Sequence, residues 1–441
     1  MSPGRIVVVG GGILGLAAAH RLARAGMEVA LYEASDDLGG LVGTFDLGGL
    51  PVDRFYHVVL PTDDRVISLC REVGIDGRLR VRPTAAGFYD DGRLFSMSTP
   101  REFITFPLLR PRDRIRLAAF VAWCRRNGDI DELDRVPLLA WLERRCGRRV
   151  VERLWRPLLD SKFDGRFDDL PATYIWSRTR RMSGTRDARG RELFGWIEGG
   201  YPTLVRALRE RIESLGGTVH TRTPVERIAG DARGVTGVVV DGEHRSADAV
   251  LCTLLPPQAR RLLDPELAAL APPDRCRYLG VVAAVARLDG PVSPYYTLNV
   301  TDRRISLTTV VETTHVVDPV HVGGTLVYAA KYVDGTHPDL DWPADQVLDD
   351  YLAQARAMLP RLAGRRVLAR SLQRARAVEP VHVVGGRANL PEMFPAPGLV
   401  LASSVHVYPE VVNGQAAIGV ADRAAAGILA RLRPGVGMAA A

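Results

Sequence analysis

Four residues near the start of the chain have the types and spacing that a dinucleotide site requires. Gly10, Gly12 and Gly15 form a G-x-G-x-x-G pattern, and Glu33 ends the next apolar segment. Such glycines permit a tight turn, a close approach of the backbone to a pyrophosphate, and close packing of a helix on a strand. A carboxylate at Glu33 can accept hydrogen bonds from a ribose diol. The pattern therefore predicts that this segment binds a dinucleotide.

The elements that must position these residues follow in the required order. Residues 6–9 are a continuous apolar run typical of a buried strand, residues 17–23 predict a helix, and residues 28–32 predict a second strand. Unpaired N–H groups at the start of the helix would face the phosphates. This strand, turn, helix and strand context makes the glycine motif far more specific than the motif alone.

Other residues have types suited to proton transfer. His57 lies in the loop after the paired glycines Gly39 and Gly40, where an imidazole could take a proton or hold a substrate hydroxyl; a surface or core-capping role is the alternative. Glu312 and His315 lie at the end of a predicted strand in the presumed substrate domain. In a continuous strand they would face opposite sides, so only a turn could bring them to one wall.

Composition limits the class of protein and its partners. With 441 residues, 46% hydrophobic and 25% charged, the chain is typical of a soluble globular protein of two or three domains. The net charge of +7 comes from scattered arginines, which favours a solvated surface over a nucleic-acid interface and remains compatible with an anionic substrate. We expect a small-molecule substrate and a monomer or homodimer.

Cysteine usage and apolar patterning predict a cytoplasmic location. The five cysteines are far apart and lack C-x-x-C pairing, which argues against a metal site or a disulfide framework. The first strand begins almost at the N-terminus, which predicts no signal peptide, and no apolar run is long enough to span a bilayer. The basic, apolar segment 104–123 could rest on a membrane surface or gate an apolar channel. A buried or half-buried helix is favoured.

The pattern predicts an α/β fold whose nucleotide-binding domain is discontinuous. A Rossmann-like domain is expected to combine residues 1–90, 195–260 and 395–435, with a last helix over 414–432. Residues 91–194 and 261–394 would form an inserted mixed α+β substrate domain with a helical insertion. Arg156 and Lys162 of that insertion are interpreted as structural or solvated.

Four motifs along the chain together resemble one known superfamily. They are the glycine pattern with Glu33; the Gly39-Gly40 loop; residues 199–204 with Val225 and residues 247–249; and residues 397–402. The chain resembles the FAD-dependent amine oxidase and protoporphyrinogen oxidase superfamily. The resemblance implies a GR2-type flavoprotein with FAD as cofactor.

The resemblance also implies cofactor contacts. Glu33 would hold the adenosine ribose, the backbone of Gly39 and Gly40 would meet the pyrophosphate or ribityl chain, and Val225 would pair with the adenine edge through its main chain. The N-terminus of the last helix, at Asn413, Gly414 and Gln415, would aim N–H groups at the flavin. Tyr408 is a further candidate catalytic residue, because the last strand and the last helix flank its loop and fix it beside the flavin ring, where Tyr408 could touch substrate or flavin. Ser404 also belongs to the expected cofactor set, although Ser403-Ser404 replaces the Gly-Asp or Gly-Glu usual in the family.

A second resemblance leaves the function open. Residues 53–57, 63–64 and 87–97 are similar to the histidine-bearing loop and following hairpin of UDP-galactopyranose mutases, which use reduced flavin as a nucleophile on a sugar. The first hypothesis is an FAD-dependent oxidoreductase that takes a hydride from a small biosynthetic intermediate such as a sugar, amine or alcohol. The alternatives are a flavin-dependent nucleotide-sugar mutase and a redox-inactive flavoprotein.

Overall fold

The computed structural model describes residues 4–271, 273 and 275–432. Its strands, in chain order, are β1 (Arg5–Val9), β2 (Glu28–Tyr32), β3 (Thr44–Asp46), β4 (Pro51–Asp53), β5 (Leu79–Thr84), β6 (Ala86–Asp90), β7 (Arg93–Ser96), β8 (Glu192–Ile197), β9 (Thr218–His220), β10 (Arg227–Asp231), β11 (Gly234–Val240), β12 (Glu243–Ser246), β13 (Ala249–Cys252), β14 (Arg277–Leu288), β15 (Thr297–Val300), β16 (Thr309–Glu312), β17 (Thr325–Asp334), β18 (Val367–Val381) and β19 (Leu399–Leu401).

The α-helices, in chain order, are α1 (Ile13–Arg24), α2 (Asp64–Glu72), α3 (Pro100–Thr105), α4 (Pro111–Arg126), α5 (Ile130–Asp134), α6 (Leu138–Cys146), α7 (Arg148–Val150), α8 (Arg156–Phe163), α9 (Thr173–Met182), α10 (Tyr201–Ser214), α11 (Pro256–Leu262), α12 (Pro265–Leu270), α13 (Pro319–Val322), α14 (Ala344–Met358), α15 (Pro360–Ala363) and α16 (Gly414–Leu432).

A parallel sheet positions the glycine motif. Within the described residues its strand order is β19, β13, β1, β2 and β9, with β1 at the centre. The apolar run Ile6, Val7, Val8 and Val9 is buried on both faces, as expected for a central parallel strand. Helices α1, α10 and α16 pack on one face through a shared apolar core. The α/β fold predicted from the sequence is confirmed, and the ligand edge of such a sheet lies at the carboxyl ends of its strands.

A mixed sheet forms the second large unit. Its strand order is β18, β14, β17, β16, β15, β6 and β7. Helix α14 covers one face of this mixed sheet, through a core that includes Val282, Val310 and Val327. The other face carries Val311 and Tyr328, which pack with residues of the loop that follows β4. This second face is therefore turned toward the loop that contains His57.

The helical insertion has its own apolar core. In α4 the side chains of Leu117, Phe120 and Cys124 are buried in that core, whereas Ile115 is exposed, as is Ile104 of α3. Segment 104–123 is thus a pair of half-buried helices in this structure. No helix in the described ranges is both long and apolar enough to cross a bilayer.

The strands of the parallel sheet come from all three segments predicted to form the nucleotide-binding domain. One strand inside those segments, Ala86–Asp90, instead pairs with β15 of the mixed sheet. The same strand forms a hairpin with β7, in which Gly87 lies opposite Ser96. The domain bounds themselves stay a prediction.

Candidate functional site

The turn between β1 and α1 tolerates only glycine at two positions. Gly10 has a φ of 104°, and a Cβ at Gly15 would overlap the carbonyl oxygen of Gly10. At Gly12, by contrast, a Cβ would meet no atom within 4 Å. Open space therefore faces the backbone at the N-terminus of α1, which has neither a side-chain cap nor an acidic residue in its first turn. Such a helix end accepts an anionic group.

Glu33 is fixed against this glycine turn. Its Oε2 accepts a hydrogen bond from the Gly11 N–H at 2.7 Å, and its Oε1 accepts bonds from the backbone N–H and the hydroxyl of Ser35 at 2.8 and 2.7 Å. The backbone N–H of Thr223 donates to the Glu33 carbonyl at 2.9 Å. This last bond places the segment that leads to Val225 beside Glu33. Pairing of the Val225 main chain with an adenine edge stays a prediction.

A second glycine loop completes the cradle. The Gly39 N–H donates to the carbonyl oxygen of Gly11 at 2.8 Å, and Gly39 and Gly40 have φ values of 109° and 59°. A Cβ at Gly40 would lie 3.5 Å from the Cα of Gly12. Both predicted glycine motifs therefore converge on one backbone surface next to the α1 N-terminus, and this surface fits a pyrophosphate.

The N-terminus of α16 is built as predicted, with one difference of detail. Asn413 caps the helix, because its Oδ1 accepts the Ala416 N–H at 3.0 Å. The Gln415 side chain is engaged elsewhere, since its Oε1 accepts the backbone N–H of Arg65 at 2.8 Å. The side-chain oxygen of Gln415 is therefore already used in holding α2. Ser404 begins a 3-10 turn, Ser404–Val407, at the carboxyl edge of β19.

His57 lies close to this helix end. Its ring contacts the Tyr201 ring with centroids 5.6 Å apart, and a Cβ at Gly414 would lie 2.8 Å from the Tyr201 hydroxyl. His57 Nδ1 is 2.8 Å from the carbonyl oxygen of Phe55, which can only accept, so Nδ1 carries the proton and Nε2 has a free lone pair. Burial lowers the pKa of His57 to about 4. The imidazole is therefore neutral at pH 7 and able to accept a proton at Nε2.

Asp53 is a site residue that sequence reasoning missed. Burial raises the pKa of its carboxyl group to about 7. A Cβ at Gly200 would lie 2.9 Å from Asp53 Oδ1, and the Asp53 carbonyl accepts the Tyr328 hydroxyl at 2.6 Å. The sequence offered one signal, the position of Asp53 four residues before His57, but an aspartate in a loop is usually solvated.

A group of polar side chains extends the site from His57 toward the helical insertion. We call it the tyrosine–arginine cluster; its members are Tyr56, Lys162, Tyr174, Arg178, Tyr332 and Glu379. Lys162 Nζ is 2.5 Å from Glu379 Oε2 and 3.1 Å from the centroid of the Tyr332 ring. Tyr56 and Tyr332 pack in one apolar group, and Arg178 lies on α9 one turn after Tyr174.

The cluster decides between the two roles that the sequence left open for Lys162, which was interpreted as structural or solvated. Its side chain is only 13% exposed and is paired with the carboxylate of Glu379, which is a structural role. Its position follows from α8, which packs against β17. Arg156, at the start of the same helix, is paired with Glu152 at 3.4 Å within the helical insertion, so it matches the structural role expected of it.

Glu312 and His315 do form a pair, but the pair lies away from His57. A 3-10 turn, Thr313–His315, follows β16 and brings His315 Nε2 to 3.6 Å from Glu312 Oε1. Glu312 pairs with Val327 of β17, and the Val327 side chain is on the face of the mixed sheet that packs against α14. The next residue, Tyr328, is on the opposite face, which is turned toward Asp53. Glu312 also accepts the N–H groups of Val292 and Ser293. The pair thus anchors a turn on the far face of the mixed sheet.

The hydroxyl of Tyr408, the other candidate catalytic residue, also makes a structural contact. Its hydroxyl donates to Asp134 Oδ1 and lies 2.8 Å from Thr173 Oγ1. The Tyr408 ring packs on His382 with centroids 4.6 Å apart. Residues of its loop, including Pro409 and Val411, line a pocket together with Tyr174 and Glu379 of the cluster. The loop therefore borders the site while the Tyr408 hydroxyl points into the helical insertion.

A protein-family model described as "flavin containing amine oxidoreductase" matches residues 14–429. The chain belongs to this family. Membership confirms the predicted superfamily and its FAD cofactor, and the cradle of Gly12, Gly40 and Glu33 gives that cofactor a place with fitting chemistry. No group of three or more possible metal ligands occurs in the part of the chain that the structure describes. The absence of a metal stays a prediction.

Individual relatives share the fold and part of the sequence. The chain is 29% identical over 321 residues to the coproporphyrinogen III oxidase of Mycobacterium leprae, across 64% of this chain and 66% of that protein. The match spans less than two thirds of the length of the curated relatives. Cyclohexylamine oxidase from Brevibacterium oxydans superposes with a TM-score of 0.67 at 18% identity, covering 98% of this chain and 99% of that one.

The mutase resemblance is also confirmed at the level of fold. The structure of reduced UDP-galactopyranose mutase superposes with a TM-score of 0.72 at 17% identity, covering 98% of this chain and 94% of that chain. At such identity the similarity concerns the fold alone. Oxidases and a mutase share this architecture, so the choice between them depends on the residues of the site.

Proposed function

We propose that the protein is an FAD-dependent oxidoreductase that removes a hydride and a proton from a small organic substrate. The observation that carries the proposal is the position of His57. Its ring contacts Tyr201, whose hydroxyl lies against Gly414 at the N-terminus of α16, and the preceding residue, Tyr56, belongs to the tyrosine–arginine cluster; its Nε2 is unprotonated. A substrate held by the cluster would therefore lie within reach of a neutral imidazole.

The cofactor and the side chains of the protein would have separate roles in the reaction. Bound FAD would supply the hydride acceptor. A hydride leaves the substrate carbon, the proton of its hydroxyl or amine group passes to His57 Nε2, and a C=O or C=N bond forms. The partial positive charge at the N-terminus of α16 favours negative charge placed there. A base positioned in this way contributes about a hundredfold or more to the rate.

The first test of this proposal follows the flavin absorbance of the holoenzyme. Anaerobic mixing with a panel of sugars, amines, alcohols and their carboxylated derivatives should bleach the flavin with at least one class. Stopped-flow reoxidation by dissolved oxygen then separates an oxidase, which recovers rapidly, from a dehydrogenase that requires another acceptor. A flavin that no compound in the panel reduces would contradict the oxidoreductase proposal.

A second candidate is a flavin-dependent nucleotide-sugar mutase. It is favoured by the hairpin of β6 and β7, which forms as the mutase resemblance predicted and adjoins the mixed sheet at β15. A mutase would isomerise a nucleotide sugar only after its flavin is reduced, and it would consume no oxidant. Turnover of UDP-galactopyranose by the dithionite-reduced enzyme, with no activity in the oxidised state, would replace the first proposal by this one.

A further inference from the structure

The helical insertion presents a strongly basic surface that the proposed function does not use. Residues 100–126, all of which the structure describes, contain seven arginines, one aspartate and one glutamate, which is a net charge of +5 in a chain whose total is +7. We call the outer side of α3, of α4 and of the turn between them the α3–α4 surface. Six of the seven arginines are exposed on it: Arg101, Arg110, Arg112, Arg116, Arg125 and Arg126.

Both acidic side chains of this segment are used within the fold. Glu102 Oε2 accepts the backbone N–H of Thr99 at 2.9 Å and completes the cap of α3. Asp113 is 2% exposed, and its carboxylate lies 3.5 Å from Arg149 of α7. Among the residues that the structure describes, a carboxylate lies within ion-pair distance of only one of the six exposed arginines, Arg112, at 3.9 Å from Asp113. The α3–α4 surface therefore carries positive charge without matching acidic groups.

Two large apolar side chains are exposed among these arginines. Ile115 of α4 is 70% exposed and Ile104 of α3 is 67% exposed, although Leu117, two positions after Ile115, is buried in the core of the insertion. The residues one turn after Ile115 on α4, Ala118 and Ala119, are exposed and small, so they do not cover the isoleucine. Exposed apolar side chains surrounded by cations are typical of a segment that lies at a membrane surface.

The basic surface continues onto the helices that pack beside α4. Helix α4 contacts α6 and α7, and a Cβ at Gly147, which joins those two helices, would lie 2.7 Å from Arg116 Nη1. The guanidinium of Arg145 lies over the Trp123 ring of α4, 3.9 Å from its centroid, and Arg148 is exposed as well. Cations from several helices thus share one surface, which suits an extended array of anions better than a single anionic group.

We propose that the α3–α4 surface binds peripherally to a bilayer that contains anionic lipids. The arginines would contact lipid phosphates, and Ile104 and Ile115 would enter the boundary between the headgroups and the acyl chains while the buried side of α4 stays packed on the insertion. A nucleic acid would use the same cations but would leave the two isoleucines in water, so a bilayer accounts for more of the surface. The inference goes beyond the proposed function, because it concerns where the enzyme binds and not the bond that it oxidises.

The test is co-sedimentation of the FAD-loaded protein with two kinds of vesicle, one of phosphatidylcholine and one of an equimolar mixture of phosphatidylcholine and phosphatidylglycerol. We expect the partition coefficient to be about tenfold or more higher for the anionic vesicles, and to fall as salt is added. Equal binding to both vesicles, or binding to neither, would overturn the proposal. Retention of duplex DNA in a mobility assay, without binding to vesicles, would assign the surface to nucleic acid instead.

Variants of the isoleucines test the apolar part of the contact. Ile104→Ser combined with Ile115→Ser should lower the partition coefficient for anionic vesicles by about tenfold or more, because burial of these side chains is lost. Val320→Ser is the matched control, since Val320 of α13 is 77% exposed outside the α3–α4 surface, and it should bind as the wild type does. Unchanged partitioning of the isoleucine variant would refute insertion of this surface.

Variants of the arginines test the electrostatic part. Arg112→Gln combined with Arg126→Gln should reduce the preference for anionic over neutral vesicles by about tenfold. The control is Arg71→Gln combined with Arg206→Gln, which removes the same charge from exposed positions of α2 and α10 and should keep the preference. An equal loss in both pairs would mean that the net charge of the whole protein, and not this surface, attracts the lipid.

Flavin content and thermal unfolding show whether each variant is folded. If a double variant is not, Ile115→Ser alone and the salt dependence of the wild type decide the question. Vesicle binding requires no turnover, so failure of this proposal with flavin reduction intact would be distinct from failure of the proposed oxidoreductase activity.

Discussion

Asp53, at the end of β4, and His57, in the loop that follows it, are ionisable residues whose pKa values are shifted chiefly by burial, that of Asp53 upward and that of His57 downward. The carboxyl group titrates near 7 instead of 3.8, and the imidazole near 4 instead of 6.5. Burial disfavours the charged form of each, so both groups are neutral over much of the acidic range. A neutral base beside a weak acid is an arrangement suited to proton transfer near pH 7.

We predict that Asp53→Asn stabilises the protein at high pH. The folded state binds the Asp53 proton more tightly than the unfolded chain, so this residue's contribution to stability is present below its unfolded pKa and is lost as pH rises through 7. Asparagine cannot ionise. At pH 8 the variant should be more stable by at most about 4 kcal/mol, with most of that advantage gone by pH 4. Urea unfolding of the FAD-saturated proteins at several pH values measures the difference in the free energy of unfolding. A difference that does not change with pH would contradict the raised pKa of Asp53.

His57→Gln tests the proposed base. Glutamine retains a hydrogen-bonding group but cannot take the proton, so kcat should fall by about a hundredfold while flavin content stays at the wild-type level. The pKa of His57 is depressed, so its contribution to stability is lost as pH falls from about 6.5 toward 4, and the variant should lack this loss. His244→Gln, at an exposed histidine of β12, is the control. Unimpaired turnover in His57→Gln would remove His57 from the site.

At the scale of elements, two glycines of the turn between β1 and α1 should have different roles, one needed for folding and the other for cofactor binding. Gly15→Ala places a Cβ against the Gly10 carbonyl, so the free energy of unfolding and the flavin content should fall together. Gly12→Ala meets no protein atom within 4 Å and has an ordinary φ of −68°, so it should fold normally yet bind FAD more weakly.

A third variant serves as the control for these two. Gly77→Ala also meets no atom within 4 Å, but it lies in a short turn before β5, away from the cradle, and should change neither quantity. Bound flavin quantified by absorbance and urea unfolding of the flavin-free proteins are the measurements. If Gly12→Ala retained full flavin affinity, the open space at Gly12 would not be the pyrophosphate position.

The same elements show which parts of the structure were predictable. The predicted last helix, 414–432, agrees with α16, because its apolar periodicity and the preceding asparagine cap are local signals. Val225, which the resemblance placed against the adenine edge, lies just outside the ladder of β10 and β11, which begins at Arg227, and no local signal in the sequence marks that boundary. The pairing of Lys162 with Glu379 has no local signal at all. Two residues 217 positions apart meet only through packing of α8 on the mixed sheet.

At the scale of the whole molecule, the proposed site joins segments that are distant in the chain. The end of β4 contributes Asp53, the following loop contributes His57, the helical insertion contributes Lys162, and the mixed sheet contributes Glu379. The parallel sheet and α16 would hold the cofactor. Function therefore depends on contacts that fix the helical insertion against the loop before α16, and Tyr408 provides the most direct of them.

Tyr408→Phe tests that connection. The hydroxyl donates to Asp134 of α5 and contacts Thr173 at the start of α9, so its removal leaves a buried carboxylate without this donor. Loss of such a bond costs about 1–3 kcal/mol. We expect a lower free energy of unfolding and faster hydrogen exchange in residues 404–412 and 130–134, the two segments that this contact joins. Tyr295→Phe, beside the mixed sheet, is the control and should leave exchange in both segments unchanged. Wild-type exchange in Tyr408→Phe would show that packing of the Tyr408 ring on His382 is sufficient to hold the two regions together.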